Sequence, residues 1–210
     1  MTASSSPGRS PGDSRLSGAR LYLITEARPD LAELLEAAVR GGVDAVQIRE
    51  KTLPDSELLR RLAEARELTN ALGVPLVVND RPDLAVLAGA DAVHVGQDDL
   101  PVEEARRFGV AVGQSTHARR EIDASTADYL GVGPVYPTPT KQGRAAVGLD
   151  LVRYAAASAR VPWFAIGGID SSNVADVVAA GASRIAVVRT IGDAPDPEAA
   201  ARSLRAALRD

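Results

Sequence analysis

From Ala19 onward the chain alternates, eight times over, a short β-rich run with an Ala/Leu/Arg-rich stretch, and this alternation limits the fold more than any other feature. The strand candidates are 21–25, 45–49, 76–79, 92–95, 111–115, 129–132, 163–166 and 185–188. Helical patterns cover 31–40, 55–71, 102–108, 149–159, 173–180 and 197–209. Gly41-Gly42, Gly73, Gly89 and Gly181 each follow a helical run, as C-cap glycines do. Strands that alternate with helices pair in parallel through right-handed crossovers. Residues 19–210 number 192, or 24 for each of eight units. A strand of about five residues, a helix of about eleven and two short loops need roughly that much. The expected fold is therefore α/β, a single-domain (β/α)8 TIM barrel at the small end of its size range. A doubly wound sheet usually needs fewer strands, and no G-x-G-x-x-G follows the first strand candidate. Residues 1–18 are rich in Ser, Pro and Gly and read as a disordered tail, which leaves 19–210 as the barrel domain.

Composition removes whole classes of function. With no cysteine, disulfides, thiolate metal sites, iron–sulfur clusters and a Cys nucleophile are excluded. Two histidines, His94 and His117, cannot build a His-rich metal centre. A net charge of −4 and only seven aromatic residues argue against a nucleic-acid partner, which wants a basic surface and stacking rings. No apolar run approaches the ~18 residues of a membrane helix, and the N-terminus lacks a signal-peptide core. A cytoplasmic protein with no membrane partner is expected.

Unusual polar residues gather at the C-terminal ends of the strand candidates, where the loops of such a barrel build an active site. They are Gln47-Ile48-Arg49-Glu50-Lys51, Asn79-Asp80, Gly96-Gln97-Asp98, Gln114-Ser115, Thr138-Pro139-Thr140-Lys141, Gly167-Gly168 and Val188-Arg189. Period-2 alternation puts Gln47, Arg49 and Lys51 on one face, toward the barrel mouth, with Val46 and Ile48 toward the helices. Cations gathered there without an anion would be costly, so Arg49, Lys51 and Lys141 point to an anionic ligand. Asp80 and Asp98 follow neighbouring strands, and their carboxylates suit Mg²⁺ together with a polyphosphate. Asp also caps helices, and each could do only that. Gly167-Gly168 and Val188-Arg189 sit where these barrels hold a phosphate. His94 reads as a hydrogen-bonded interior residue and His117 as a helix-start residue. No G-x-S-x-G elbow accompanies them.

These segments, with Val78-Asn79-Asp80, His94-Val95-Gly96-Gln97-Asp98, Gly133-Pro134-Val135-Tyr136-Pro137-Thr138-Pro139-Thr140-Lys141 and Ala165-Ile166-Gly167-Gly168-Ile169, resemble the thiamine-phosphate synthase family in order from about Leu21 onward. The resemblance implies a (β/α)8 transferase of thiamine biosynthesis that requires Mg²⁺. Such an enzyme joins 4-amino-2-methyl-5-hydroxymethylpyrimidine diphosphate to 4-methyl-5-(2-phosphooxyethyl)thiazole and releases thiamine phosphate and diphosphate. By matching position, Gln47, Ile48, Arg49, Glu50, Lys51, Asn79, Ser115 and Lys141 would bind the pyrimidine diphosphate, with Arg49, Lys51 and Lys141 as the catalytic cations. Asp80 and Asp98 would hold the metal, while Thr138, Pro139, Thr140, Gly168, Val188 and Arg189 would bind the thiazole phosphate. One departure stands out: the family often has Ser where this chain has Arg189. Either its side chain adds a cation to the cradle, or only its backbone N–H serves. A related barrel, the thiazole tautomerase, resembles the chain around Gly113-Gln114-Ser115-Thr116-His117 and is the rival reading, followed by a non-catalytic phosphate-binding barrel.

Overall fold

A computed structural model of the chain describes residues 15–138 and 145–208. Eight strands, β1 (Leu21–Thr25), β2 (Ala45–Ile48), β3 (Leu76–Asn79), β4 (Ala92–Val95), β5 (Ala111–Thr116), β6 (Tyr129–Val132), β7 (Trp163–Ile166) and β8 (Ile185–Val187), close into one barrel in chain order. Every neighbouring pair is parallel, and β8 closes on β1. Outside lie α1 (Leu31–Arg40), α2 (Asp55–Ala71), α3 (Pro82–Leu87), α4 (Val102–Arg106), α5 (Arg119–Ala124), α6 (Gly148–Ser158), α7 (Val174–Ala179), α8 (Arg189–Gly192) and α9 (Pro197–Ala207). The expected strands fall in place to within a residue at their ends. Helices α3, α5 and α8 have no counterpart among the expected helical patterns, and α8, at four residues, is too short to display a helical period.

Alternation along each strand separates two cores. Outward residues such as Val46, Ile48, Val78, Val93, Leu130 and Ile185 pack beneath the helices. Inward residues form a second cluster with Tyr22, Tyr129 and Phe164 as its bulk and Ala45, Ala92 and Ala186 as the small residues that make room for them. Gly113 belongs to the same accommodation. A Cβ there would lie 2.0 Å from the Tyr129 ring, so only glycine lets that ring cross the barrel.

Residues 15–18, expected as part of the tail, are instead built into the barrel's N-terminal end. Leu16 is buried against the interior aromatic cluster, Ala19 N–H donates to the Leu16 carbonyl, and Arg184 donates to the carbonyls of Ser17 and Ala19. A single leucine in a Ser/Gly-rich stretch has no periodicity to announce it, but it covers apolar surface that would otherwise face water.

The same end carries a repeated clamp. Asp44, Asp91 and Asp128, each just before an even-numbered strand, donate their backbone N–H to the carbonyls of Leu21, Leu76 and Val112. Their carboxylates accept the N–H of those same residues at 2.8, 3.0 and 2.8 Å. An arginine neutralises each: Arg205 on Asp44 at 2.6 Å, Arg66 on Asp91 at 2.7 Å and Arg106 on Asp128 at 3.3 Å. No described helix is long and apolar enough to cross a membrane.

Candidate active site

A cavity enclosing about 820 Å³, part of it open to solvent, occupies the C-terminal mouth of the barrel. Its floor is polar and drawn from strand ends: Gln47 from β2, Asn79 from β3, His94 from β4 and Ser115 from β5. Gln47, Asn79 and Ser115 are all buried, at 1%, 8% and 8% exposure. Gln47 Nε2 donates to Tyr22 Oη at 2.6 Å. Asn79 Nδ2 is buried and has no hydrogen-bond partner among the described residues, which costs about 1–3 kcal/mol unless something in the cavity accepts from it. Gln97, from the loop after β4, donates to the Ser115 carbonyl at 2.7 Å and ties that loop to the end of β5.

Arg49 follows β2 and lines the cavity wall, with no ion pair to any described residue. Lys51 does not point into the same wall. Its ammonium sits 2.9 Å from Asp80 Oδ2, at the outer rim. Ile48 and Glu50 do not reach the cavity by their side chains. Ile48 packs outward beneath the helices, as alternation requires, and Glu50 Oε1 accepts from Lys51 N–H, Thr52 N–H and Thr52 Oγ1, stitching the loop after β2 together. Lys141, Pro139 and Thr140 lie outside the described residues.

The acidic pair differs from the expected one. Asp80 extends the β3 ladder by one bond, N–H to the His94 carbonyl, and then turns with φ +61°, a left-handed conformation that Asp tolerates better than most residues. Its carboxyl meets Asp99, not Asp98. Burial first, then the Asp99 carboxylate, push the Asp80 carboxyl above its usual range, and Lys51 opposes them. Asp99 is brought inward because its Oδ2 accepts Gly96 N–H at 2.8 Å, three residues back, folding the loop over the end of β4; Asp98, one step along the turn, is exposed. Two carboxylates in contact call for a proton or a cation between them, and an all-oxygen pair suits Mg²⁺, which takes one or two carboxylates and completes its shell with phosphate and water. Among the described residues no group of three or more acidic or histidine side chains is arranged around a metal position.

On the opposite side, β7 runs into Gly167 and Gly168, both at positive φ (100° and 66°). Their carbonyls are taken: Gly167 O accepts Tyr136 N–H at 3.0 Å and Gly168 O accepts Asn173 Nδ2 at 2.8 Å. Because each peptide is trans, the N–H groups of Gly168 and Ile169 point the other way from those carbonyls. A Cβ at Gly168 would lie 2.7 Å from Tyr136 Cβ, so glycine is needed both for conformation and for space. Thr190 Oγ1 donates to the Ile169 carbonyl at 2.7 Å and joins this loop to α8. Thr138, Val188 and Arg189 line the cavity beside it; Arg189 is exposed, and its side chain borders the mouth together with Arg49.

His94 is held inside the barrel, as expected, with Nδ1 3.2 Å from Tyr129 Oη and Nε2 3.0 Å from Ser115 Oγ. His117 borders the cavity, bonds the Gly133 carbonyl through Nδ1, and has its backbone N–H bound by Glu121 at 2.7 Å. The Tyr22 and Tyr129 hydroxyls, which bond the cavity-lining Gln47 and His94 from within the barrel interior, carry no motif signal. Their one signal is period-2 placement on the inward face of β1 and β6.

Eight βα units closed around a mouth where buried amide and hydroxyl groups face an arginine and a glycine loop define a (β/α)8 barrel built to receive a small anionic molecule. Within that class the chain is specific: the thiamine monophosphate synthase family matches residues 21–191, and the chain belongs to this family. It is 50% identical to the thiamine-phosphate synthase of Arthrobacter sp. (strain FB24), over 92% of this chain and 95% of that one. It is 52% identical to the thiamine-phosphate synthase of Gloeobacter violaceus, over 87% of this chain but only 55% of that longer relative. Among solved structures, the thiamine phosphate pyrophosphorylase of Pyrococcus furiosus superposes with a TM-score of 0.83 at 32% identity, covering 91% of this chain and 96% of that one.

Proposed function

We propose that the chain is a thiamine-phosphate synthase, a transferase that couples the pyrimidine diphosphate to the thiazole phosphate and releases diphosphate. The observation that carries this reading is the cavity floor, where Asn79 Nδ2, without a partner among the described residues, lies with Gln47 and Ser115 beside Arg49, which pairs with no acid among the described residues. The full-length match to a synthase, 95% of the Arthrobacter protein, supports the same activity.

In this reading Gln47, Asn79 and Ser115 bind and orient the pyrimidine. Arg49, with Lys51 and Lys141, neutralises charge as the C–O bond to diphosphate breaks, the kind of electrostatic help that is usually the largest single contribution to rate. Asp80 and Asp99 would hold Mg²⁺, which would supply charge neutralisation on the diphosphate when bound. The Gly168 amide, Thr138, Thr140 and the Val188-Arg189 segment hold the thiazole phosphate close to the developing cation, and the apolar upper walls (Ile24, Ile166, Val188) limit water. No protein nucleophile is required, in keeping with a chain that has no cysteine. The site acts on small molecules in the cytoplasm.

The test is diphosphate release from purified protein given both substrates and Mg²⁺. The proposal expects stoichiometric diphosphate and thiamine phosphate; a tautomerase would release none, and a binding module would turn nothing over. Within the same assay, Asp99→Ala is expected to lose roughly 10²–10³ in rate, while Asp98→Ala stays within a few-fold of wild type.

A further inference from the structure

Five side chains from five strands form an unbroken hydrogen-bonded line across the barrel interior. Gln47 Nε2 bonds Tyr22 Oη at 2.6 Å, Tyr22 Oη lies 3.3 Å from Tyr129 Oη, Tyr129 Oη lies 3.2 Å from His94 Nδ1, and His94 Nε2 lies 3.0 Å from Ser115 Oγ. Its two ends, Gln47 on β2 and Ser115 on β5, both face the cavity. Its middle is sealed: Tyr22 and Tyr129 are buried among Phe164 and Leu16, with ring centroids 5.1–6.4 Å apart in edge-to-face packing.

We propose that this line is a relay with one direction, in which Tyr22, Tyr129 and His94 act as positioning residues that set Gln47 as a hydrogen-bond acceptor and Ser115 as a donor toward an aminopyrimidine. Proton counting gives the direction. A phenol has one proton to donate, and both phenols keep theirs, since burial raises Tyr22 and Tyr129 well above the ordinary tyrosine range. Tyr22 Oη accepts from the Gln47 amide, so its proton goes to Tyr129 Oη. Tyr129 in turn donates to His94 Nδ1. The imidazole is then neutral with its proton on Nε2, and it donates to Ser115 Oγ, whose own proton is given onward. Gln47, its amide nitrogen already committed, presents its carbonyl oxygen. An acceptor and a donor are the complement of an aminopyrimidine, which carries an amino donor and ring-nitrogen acceptors. Aligned chains of this kind polarise one another, so the far members strengthen the near ones.

The relay rests on the proposed function for its substrate, but its direction is measurable without turnover. The chain has two histidines, so ¹⁵N NMR of the imidazoles, with His117→Asn to assign the second signal, reads the His94 tautomer directly. Wild-type protein at neutral pH is expected to show His94 neutral and protonated at Nε2. Tyr129→Phe keeps the ring above Gly113 and removes the donor to Nδ1 together with the acceptor of the Tyr22 proton. It is expected to give a mixture of tautomers and a KM for the pyrimidine diphosphate raised roughly tenfold, with the KM for the thiazole phosphate unchanged. Tyr22→Phe is expected to raise the same KM while leaving the His94 tautomer in place, because Tyr129 still donates to it. A wild-type His94 that is protonated at Nδ1, or doubly protonated, overturns the relay, as does a Tyr129→Phe protein with unchanged tautomer and unchanged KM. Should Tyr129→Phe fail to fold, the wild-type tautomer alone decides. Wild-type protein that releases no diphosphate removes the substrate assignment and leaves the tautomer reading standing.

Discussion

The two rims of the barrel treat charge in opposite ways. At the N-terminal rim Asp44, Asp91 and Asp128 each hold a backbone N–H and an arginine, so the carboxylates are used within the fold, and the atoms left over are Nε of Arg66 and Arg106, buried in that rim without a partner among the described residues. At the C-terminal rim Asn79 Nδ2 is left without a described partner, Asp80 sits in a left-handed conformation against Asp99, and Arg49 borders a cavity with no ion pair to the described residues. A carboxylate satisfied by its own chain stabilises the fold, whereas an amide left open on the wall of a cavity can be satisfied by what binds there. The (β/α)8 architecture separates the two tasks along its axis, and the chemistry of each rim shows which task it has.

The separation breaks if stability and turnover respond to the same substitutions. The largest effect is expected at the lower rim. Asp91→Ala removes the only acid paired with Arg66 among the described residues, leaving its guanidinium the Gly89 carbonyl and the Asn70 amide oxygen, and takes the side-chain acceptor from the Leu76 N–H; in a pair whose side chains are only 13% and 8% exposed this should cost about 3–5 kcal/mol by urea denaturation with kcat per folded molecule unchanged. The same change at the more exposed Asp44 should cost less. Next comes Arg49→Ala, expected to lower the rate of diphosphate release by roughly 10²–10³ while the urea midpoint stays at the wild-type value. The smallest is Leu16→Ala, about 2–3 kcal/mol of stability, at the low end for a buried leucine. If Leu16→Ala is silent in denaturation, the packing of residues 15–18 adds nothing to stability and the lower rim ends at Ala19. If Asp91→Ala abolishes turnover in fully folded protein, the two rims are not independent.

Much of the upper rim was legible from spacing. Gln47 inward with Val46 and Ile48 outward follows from a period of two, and the glycines after β7 mark a turn that no other residue fits. Asp99 was not legible. Asp98 and Asp99 are adjacent acids in one loop, and which of them faces Asp80 depends on the Gly96–Asp99 hydrogen bond that folds the turn. The place of Lys51 follows from its strand face only in part: beyond the last paired residue of β2 the alternation lapses, and its ammonium lies against Asp80 instead of on the wall with Arg49. The lower clamps left a signal that spacing alone did not expose: Asp-Ala-Val at 44–46 and 91–93 and Asp-Tyr-Leu at 128–130 open alternate strands, and Arg184 breaks the series at β8.

The amino-acid sequence by itself determined the eight-unit barrel, the face on which each strand residue lies and the end at which the chemistry collects. These rest on periodicity and turn preference, which act over a few neighbouring residues. Only the tertiary structure decided the partner of Asp80, the burial of Leu16 and the line from Gln47 through Tyr22, Tyr129 and His94 to Ser115. Tyr22 and Tyr129 are 107 positions apart in the chain, and closure of the barrel is what brings their hydroxyls within hydrogen-bonding distance.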